Sequence, residues 1–206
     1  MTTAAPAGLW PEVQPDAARR LMLSGLRSFA ERGFHATTTR DIATGAGMSP
    51  AALYVYFPSK VGLLFAISRS GHEQTLAMVS AAIAKGTDPV SSMRHVVAEF
   101  VAWHAERHTV ARVVQYELAA LPAQEYAVVA DLRRQTERLV RDVISAGVTE
   151  GVFDVPDVRV AARAVLSLGV DVARWYTERS RTTPAELGAQ YSGLILRMLG
   201  ATTENR

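Results

Sequence analysis

Two groups of side chains in this 206-residue chain have the types and spacing to do chemistry. His104 and His108 stand four residues apart in "HAERH", where a helix would set both on one face as a pair of metal ligands. A metalloprotease-type site needs a glutamate directly after the first histidine, and Glu106 would point off the shared face. Surface or pocket histidines, with no metal, are therefore expected. The second group is "GAGMSPAALYVYFPSK", residues 45–60, in which Tyr54, Tyr56 and Phe57 crowd together between Arg40 and Lys60. Tyrosine hydroxyls and lysine suit phosphate and sugar, and arginine also suits a guanine edge.

Other reaction chemistry has no carrier. The chain has no cysteine, which excludes thiolate nucleophiles, thiolate metal sites and disulfides. There is no Gly-x-Ser-x-Gly elbow and no glycine loop built to cradle phosphate, so no catalytic residue and no cofactor is expected, and the chain reads as a non-enzyme. The start "MTTAAPAGLWPEVQP" lacks the basic-then-apolar order of a secretory signal, and no run of eighteen apolar residues occurs. No membrane span and a cytoplasmic address are expected.

Net charge is only +2, but it is unevenly placed. Between Arg19 and Lys60, six basic residues (Arg19, Arg20, Arg27, Arg32, Arg40 and Lys60) face only Glu31 and Asp41, while residues 61–206 carry sixteen of each sign. The excess surrounds the aromatic cluster, as a phosphate-facing surface requires.

The elements that must hold these residues are all helical. Pro and Ala richness before Pro15 predicts a disordered tail over residues 1–15. Leu21, Met22, Leu26, Phe29 and Ala30 recur with helical spacing from Asp16 to a stop at Gly33. Thr38 and Asp41 have capping-box spacing for a short helix closed by Gly45 or Gly47. Ser49-Pro50 starts a third helix ending near Phe57, and Pro58-Ser59-Lys60 opens a long fourth one running toward Lys85 and Gly86. Further helices are expected over the stripe Met93, Val97, Phe100, Val101 and His104, over Val113 to Leu118, and from Ala123 to Glu150 with a Glu137–Arg141 pair. Two more run from Asp157 through Trp175 and from Pro184 to Leu199. The expected fold is all-α: a three-helix helix-turn-helix domain over 16–60 and a larger helical domain over 61–206.

On the third helix, Leu53 and Phe57 share a face and are expected to pack against Ile42 and Phe29, leaving Tyr54, Val55 and Tyr56 turned away. A core role for the two tyrosines is the competing reading. With "TTTRDIATGAGMSPAALYVYFPSKVGLLFAI" assembled and "FAERGFHATT" upstream, about fifty residues resemble the DNA-binding domain of TetR-family transcriptional regulators. The resemblance implies backbone contacts by Thr39, Tyr54, Tyr56 and a phosphate-clamping Lys60, base readout by Arg40, and a recognition face of Ala51, Ala52 and Val55, with Thr38 and Ser49 flanking it. Because Ala51, Ala52 and Val55 are apolar and small, specificity would rest on Arg40, thymine methyls and DNA shape.

The resemblance further implies a homodimer, a double-stranded DNA operator, a small-molecule effector and a repressor that the effector releases. Val165, Gly169 and Val172, with Leu187, Tyr191, Leu194, Ile195 and Met198, are candidates for a four-helix dimer interface; burial within one chain would suit the same stripes. Met93, Phe100, Trp103, His104, Tyr116 and Trp175 are candidates for the effector site. "GVTEGVFDVPDVRVAARAVLSLGVDVARWY" is similar to a subgroup linked to acyl-CoA, lipid and steroid intermediates, implying a bulky hydrophobic or CoA-linked effector. A sequence-tolerant architectural DNA binder without effector is the alternative, and a protein-interaction scaffold ranks last.

Overall fold

Local capping signals decide where most of the helices begin. In the computed structural model, which describes residues 9–201, Thr38 and Asp41 form a reciprocal capping box at the second helix, and Asp157 accepts from the amides of Arg159 and Val160. Among the described residues there are nine α-helices, one 3-10 turn and no strand. They are α1 (Asp16–Ala36), α2 (Thr39–Gly45), α3 (Pro50–Tyr56), α4 (Lys60–Ile83), α5 (Pro89–Glu106), α6 (His108–Tyr116), a 3-10 turn (Leu118–Ala120), α7 (Ala123–Thr149), α8 (Val158–Trp175) and α9 (Pro184–Met198). Helix α1 breaks at Gly33, whose φ is 78°, and continues for a last turn to Ala36. No single helix among the described residues is long and apolar enough to cross a membrane. Only α3 and α4 taken together have that composition; they are bent by 52°, and Leu53, Leu63, Leu64 and Ile67 in them are buried in a core.

The chain divides into two compact units. The first contains residues up to His72 together with Thr109–Ala130. Its core is built from Leu21, Leu26 and Phe29 of α1, Ile42 of α2, Leu53 and Phe57 at α3, Leu63, Leu64 and Ile67 of α4, and Val110, Val113 and Val114 of α6. The packing of Leu53 and Phe57 with Ile42 and Phe29 is as their spacing predicts. The three helices α1, α2 and α3 alone bury little apolar surface, and this unit extends past Lys60 and takes in α6 as well. Leu9 and Trp10, within the stretch expected to be disordered, are also buried in it: an indole that finds an apolar seat outweighs the turn-forming prolines around it. The rest of the expected tail, residues 1–8, lies outside the described residues.

The second unit contains Glu73–His108 and Asp131 onward. Helix α5 is its centre, with α8 and α9 both packed on it. Met93, Val97, Phe100 and Val101 of α5 meet Val165 and Val172 of α8 and Leu187, Ile195 and Leu196 of α9 in one core. The expected Glu137–Arg141 pair is not formed. Glu137 lies 3.5 Å from Arg163 and Arg141 lies 3.9 Å from Asp142, because an exposed carboxylate gains little from either partner and α8 brings the better-placed cation.

Candidate nucleic-acid interface

Helix α1 holds α2 by its carbonyls. The last carbonyls of a short helix lack intrahelical partners, and here α1 supplies them: Ser24 Oγ donates to the Ile42 carbonyl at 2.7 Å, Arg27 Nη2 donates to that of Gly45 at 3.3 Å, and Arg20 Nη2 donates to that of Ala46. At the other end the Thr38 hydroxyl donates to Asp41 Oδ2 at 2.7 Å and accepts from the Asp41 amide. These bonds from the Thr38 hydroxyl and amide hold the Asp41 carboxyl below its ordinary range, with Arg32 adding to the effect. The turn into α3 passes through Gly47 at φ 69°, a conformation that side-chain-bearing residues rarely adopt.

Helix α3 is thereby presented with one face out. Tyr54 is 57% exposed and Val55 73%, and Ala51 and Ser49 are exposed beside them. Arg40 is exposed on α2 with no bond or ion pair among the described residues. Ala52, Thr39 and Tyr56 are half-buried, and Tyr56 packs against the core, so its ring is divided between the two expected roles. Thr38 is exposed but its hydroxyl serves the capping box. Lys60 is placed differently from the others: its Nζ donates to the carbonyls of Phe34 and Thr37, both at 2.7 Å, and lies 4.2 Å from the centre of the Phe34 ring. The capping roles of Arg20, Arg27 and Lys60 were not legible in the sequence, since their partners lie 18 to 26 residues away.

Of the expected effector residues, the structure brings Phe100, Trp103 and His104 together. The His104 ring is 4.2 Å from that of Phe100 and 5.0 Å from that of Trp103. His104 is buried, its Nδ1–H donates to the Phe100 carbonyl at 2.8 Å, and burial pushes its pKa down to about 4. It is thus a neutral imidazole with its proton on Nδ1. Met93 is fully buried in the same core. Trp175 is exposed on α8 with its ring 6.1 Å from Tyr176, while Tyr116 belongs to the first unit and is 61% exposed. His108 donates through Nδ1 to the Ala105 carbonyl at 2.9 Å, and among the described residues no three His, Asp or Glu side chains gather as a metal site would need. A cleft of about 580 Å³ opens between Glu73, Leu76, Ala77 and Ser80 of α4 and Gln135, Arg138, Leu139 and Asp142 of α7; none of the expected effector residues lines it.

The expected dimer stripes split in two. Val165, Gly169, Val172, Leu187 and Ile195 are buried within this chain, and Gly169 lies so close to the Phe100 ring that a Cβ there would overlap it. These five therefore face the chain's own α5. Leu194 and Met198 are exposed, Tyr191 is half-buried, and Leu168 is a further exposed apolar residue on α8. A helix whose apolar stripe is wider than one contact face has two apolar edges, and sequence spacing does not tell which edge meets the chain's own core.

Comparison with known proteins agrees with this arrangement. Residues 16–67 match "Bacterial regulatory proteins, tetR family" and residues 86–199 match "Tetracyclin repressor-like, C-terminal domain". The chain is 30% identical over 171 residues to the HTH-type transcriptional repressor KstR2 of Rhodococcus jostii, covering 82% of this chain and 83% of that one. A regulatory protein of the tetR family from Rhodococcus RHA1 superposes with a TM-score of 0.86 at 40% identity, covering 90% of this chain and 98% of that one. The ketosteroid transcriptional regulator KstR2 of Mycobacterium tuberculosis superposes with a TM-score of 0.82 at 26% identity, over 98% of this chain and all of that one. With both of its parts matched and its helix-turn-helix built as described, the chain belongs to the TetR family of bacterial regulatory proteins.

Proposed function

We propose that this protein is a homodimeric repressor that binds a near-palindromic operator and is released by a bulky apolar or CoA-linked effector. The observation that carries the DNA-binding part is the outward face of α3: Ala51, Tyr54 and Val55 stand exposed on a helix otherwise locked by Leu53 and Phe57, and Arg40 of α2 is exposed with no partner among the described residues. On this reading Tyr54 and Tyr56 contact sugar and phosphate with Thr38, Thr39 and Ser49, while Ala51, Ala52 and Val55 meet thymine methyls and Arg40 reads a guanine edge. Leu168, Leu194 and Met198, exposed on α8 and α9, with the half-buried Tyr191, supply the apolar surface for a second copy. The effector is taken up beside Phe100, Trp103 and His104. The ketosteroid designation of the M. tuberculosis neighbour supports a bulky apolar ligand. Such a ligand lifts repression only by binding the DNA-free arrangement more tightly.

The test is selection of genomic fragments by the purified protein at physiological salt, followed by sequencing. A few palindromic sites are expected; recovery without preference would replace the repressor with a sequence-tolerant architectural binder. On a selected site, Arg40→Ala is expected to weaken binding by about tenfold to hundredfold, or about 1–3 kcal/mol, and to relax preference at one base pair of each half-site. Equal weakening on operator and random DNA would make Arg40 a phosphate contact only.

A further inference from the structure

Lysine at the first position of a helix is electrostatically misplaced, because the helix N-terminus carries partial positive charge. Lys60 occupies that position in α4, whose first turn has no acidic residue to offset it. Its surroundings explain it. Gly33 interrupts α1, and its last turn ends at Thr37 in extended backbone, so carbonyls here lack regular intrahelical partners and take donors from elsewhere. The Thr37 hydroxyl lies 3.0 and 2.8 Å from the carbonyl oxygens of Ser28 and Gly33 and shares its single proton between them. Lys60 Nζ donates to those of Phe34 and Thr37 and sits over the Phe34 ring, which is itself buried against Phe29 with ring centres 5.5 Å apart. Two of the three ammonium donors are thus directed at the chain's own carbonyls, and the ring face adds a cation–π contact.

The other basic residues follow the same pattern. Arg20 and Arg27 cap α2, Arg19 pairs with Asp16 at 2.7 Å, and Arg32 lies 3.7 Å from Asp41. Of the six basic residues between 19 and 60, Arg40 alone lacks an intramolecular partner among the described residues. The carbonyl that Lys60 holds at Thr37 belongs to the peptide leading into Thr38, the N-cap of α2, and Arg40 lies in the first turn of that helix.

We propose that Lys60 is a positioning residue: its ammonium clasps the end of α1 to the start of α4 and so fixes the pose of α2 and Arg40, instead of neutralising a DNA phosphate. This rests on the DNA-binding reading above. The two roles differ in salt dependence. A lost phosphate contact lowers the slope of log affinity against log salt by about 0.9 and weakens all sequences alike, whereas a lost clasp leaves the slope and weakens only the binding that depends on orientation.

The experiment measures Kd of wild type and Lys60→Met for the selected operator and for random DNA across a series of salt concentrations. It also measures amide hydrogen exchange over residues 38–42, with α9 as the internal reference. The clasp predicts about a tenfold or greater loss on the operator, a change of less than about twofold on random DNA, an unchanged slope, and faster exchange in α2 alone. A slope lower by about 0.9, with both DNAs weakened together, would overturn it, as would unchanged operator affinity and exchange. If the wild type selects no operator, the DNA-binding reading fails by itself, and the exchange comparison still decides the clasp. Should Lys60→Met fail to fold, Lys60→Arg takes its place. A phosphate clamp predicts undiminished affinity for both DNAs with arginine, and the clasp, shaped for a compact ammonium, predicts loss on the operator only.

Discussion

Acidification from pH 7 to pH 4 is expected to remove about 3 kcal/mol of stability through His104 alone. The imidazole is buried between Phe100 and Trp103 and its pKa is pushed down to about 4 by loss of hydration, against the opposing effect of the bond to the Phe100 carbonyl. The unfolded chain binds the proton near pH 6.5, the ordinary histidine value, and the folded chain only near pH 4. Within that window the unfolded state holds more protons, so stability is full above the upper limit and falls as pH drops through it. Urea unfolding of wild type and His104→Leu at pH 7 and pH 4.5 checks this. The variant should lose about 2–3 kcal/mol less than wild type over the interval, because leucine has no proton to take up. Parallel losses in the two proteins would show that His104 is hydrated in the folded state. The same neutrality bears on the proposed effector site, where His104 offers an uncharged ring to an apolar ligand.

Gly188→Ala is expected to be among the most damaging single-methyl additions in the second unit, costing about 2–3 kcal/mol. A Cβ at Gly188 would fall on the Ala98 carbonyl oxygen and within 3.2 Å of its Cα. Both are backbone atoms of α5, so no side chain can rotate to make room, and α9 must lift from the helix it packs on most closely. Gly193→Ala, five residues further along α9, is the control. There the nearest atom is the end of the flexible Arg197 side chain at 3.7 Å, and alanine should stabilise the helix by about 0.5–1 kcal/mol through its better helix propensity. Urea midpoints moving in opposite directions for the two variants would establish the close α5–α9 approach. Shifts of the same sign would refute it.

Both variants probe features with no local signature. The all-helical architecture, the Thr38–Asp41 box and the Asp157 cap each depend on residues within a few positions of one another and are legible locally, whereas the expected stop at Gly33 is a break after which α1 adds a last turn to Ala36. The two faces of α3 were also legible, because Leu53 and Phe57 lie one turn apart and must share a side of the helix, which leaves Tyr54 and Val55 on the other. Tyr56 was not, since its intermediate angle allows either environment, and it is half-buried against the core.

The candidate site divides along the same line. Sequence by itself determined which short helix is presented, which of its residues point out, and that arginine and tyrosine are at hand, because helical periodicity and capping act over one or two turns. Only the tertiary structure decided that Lys60, Arg20 and Arg27 turn to the chain's own carbonyls, that Trp10 is buried, and that Val165, Gly169, Val172, Leu187 and Ile195 face α5 while Leu194 and Met198 face outward. A cation or an apolar edge has no preferred partner until packing brings one within a few ångströms, and those partners are supplied by segments distant in the chain.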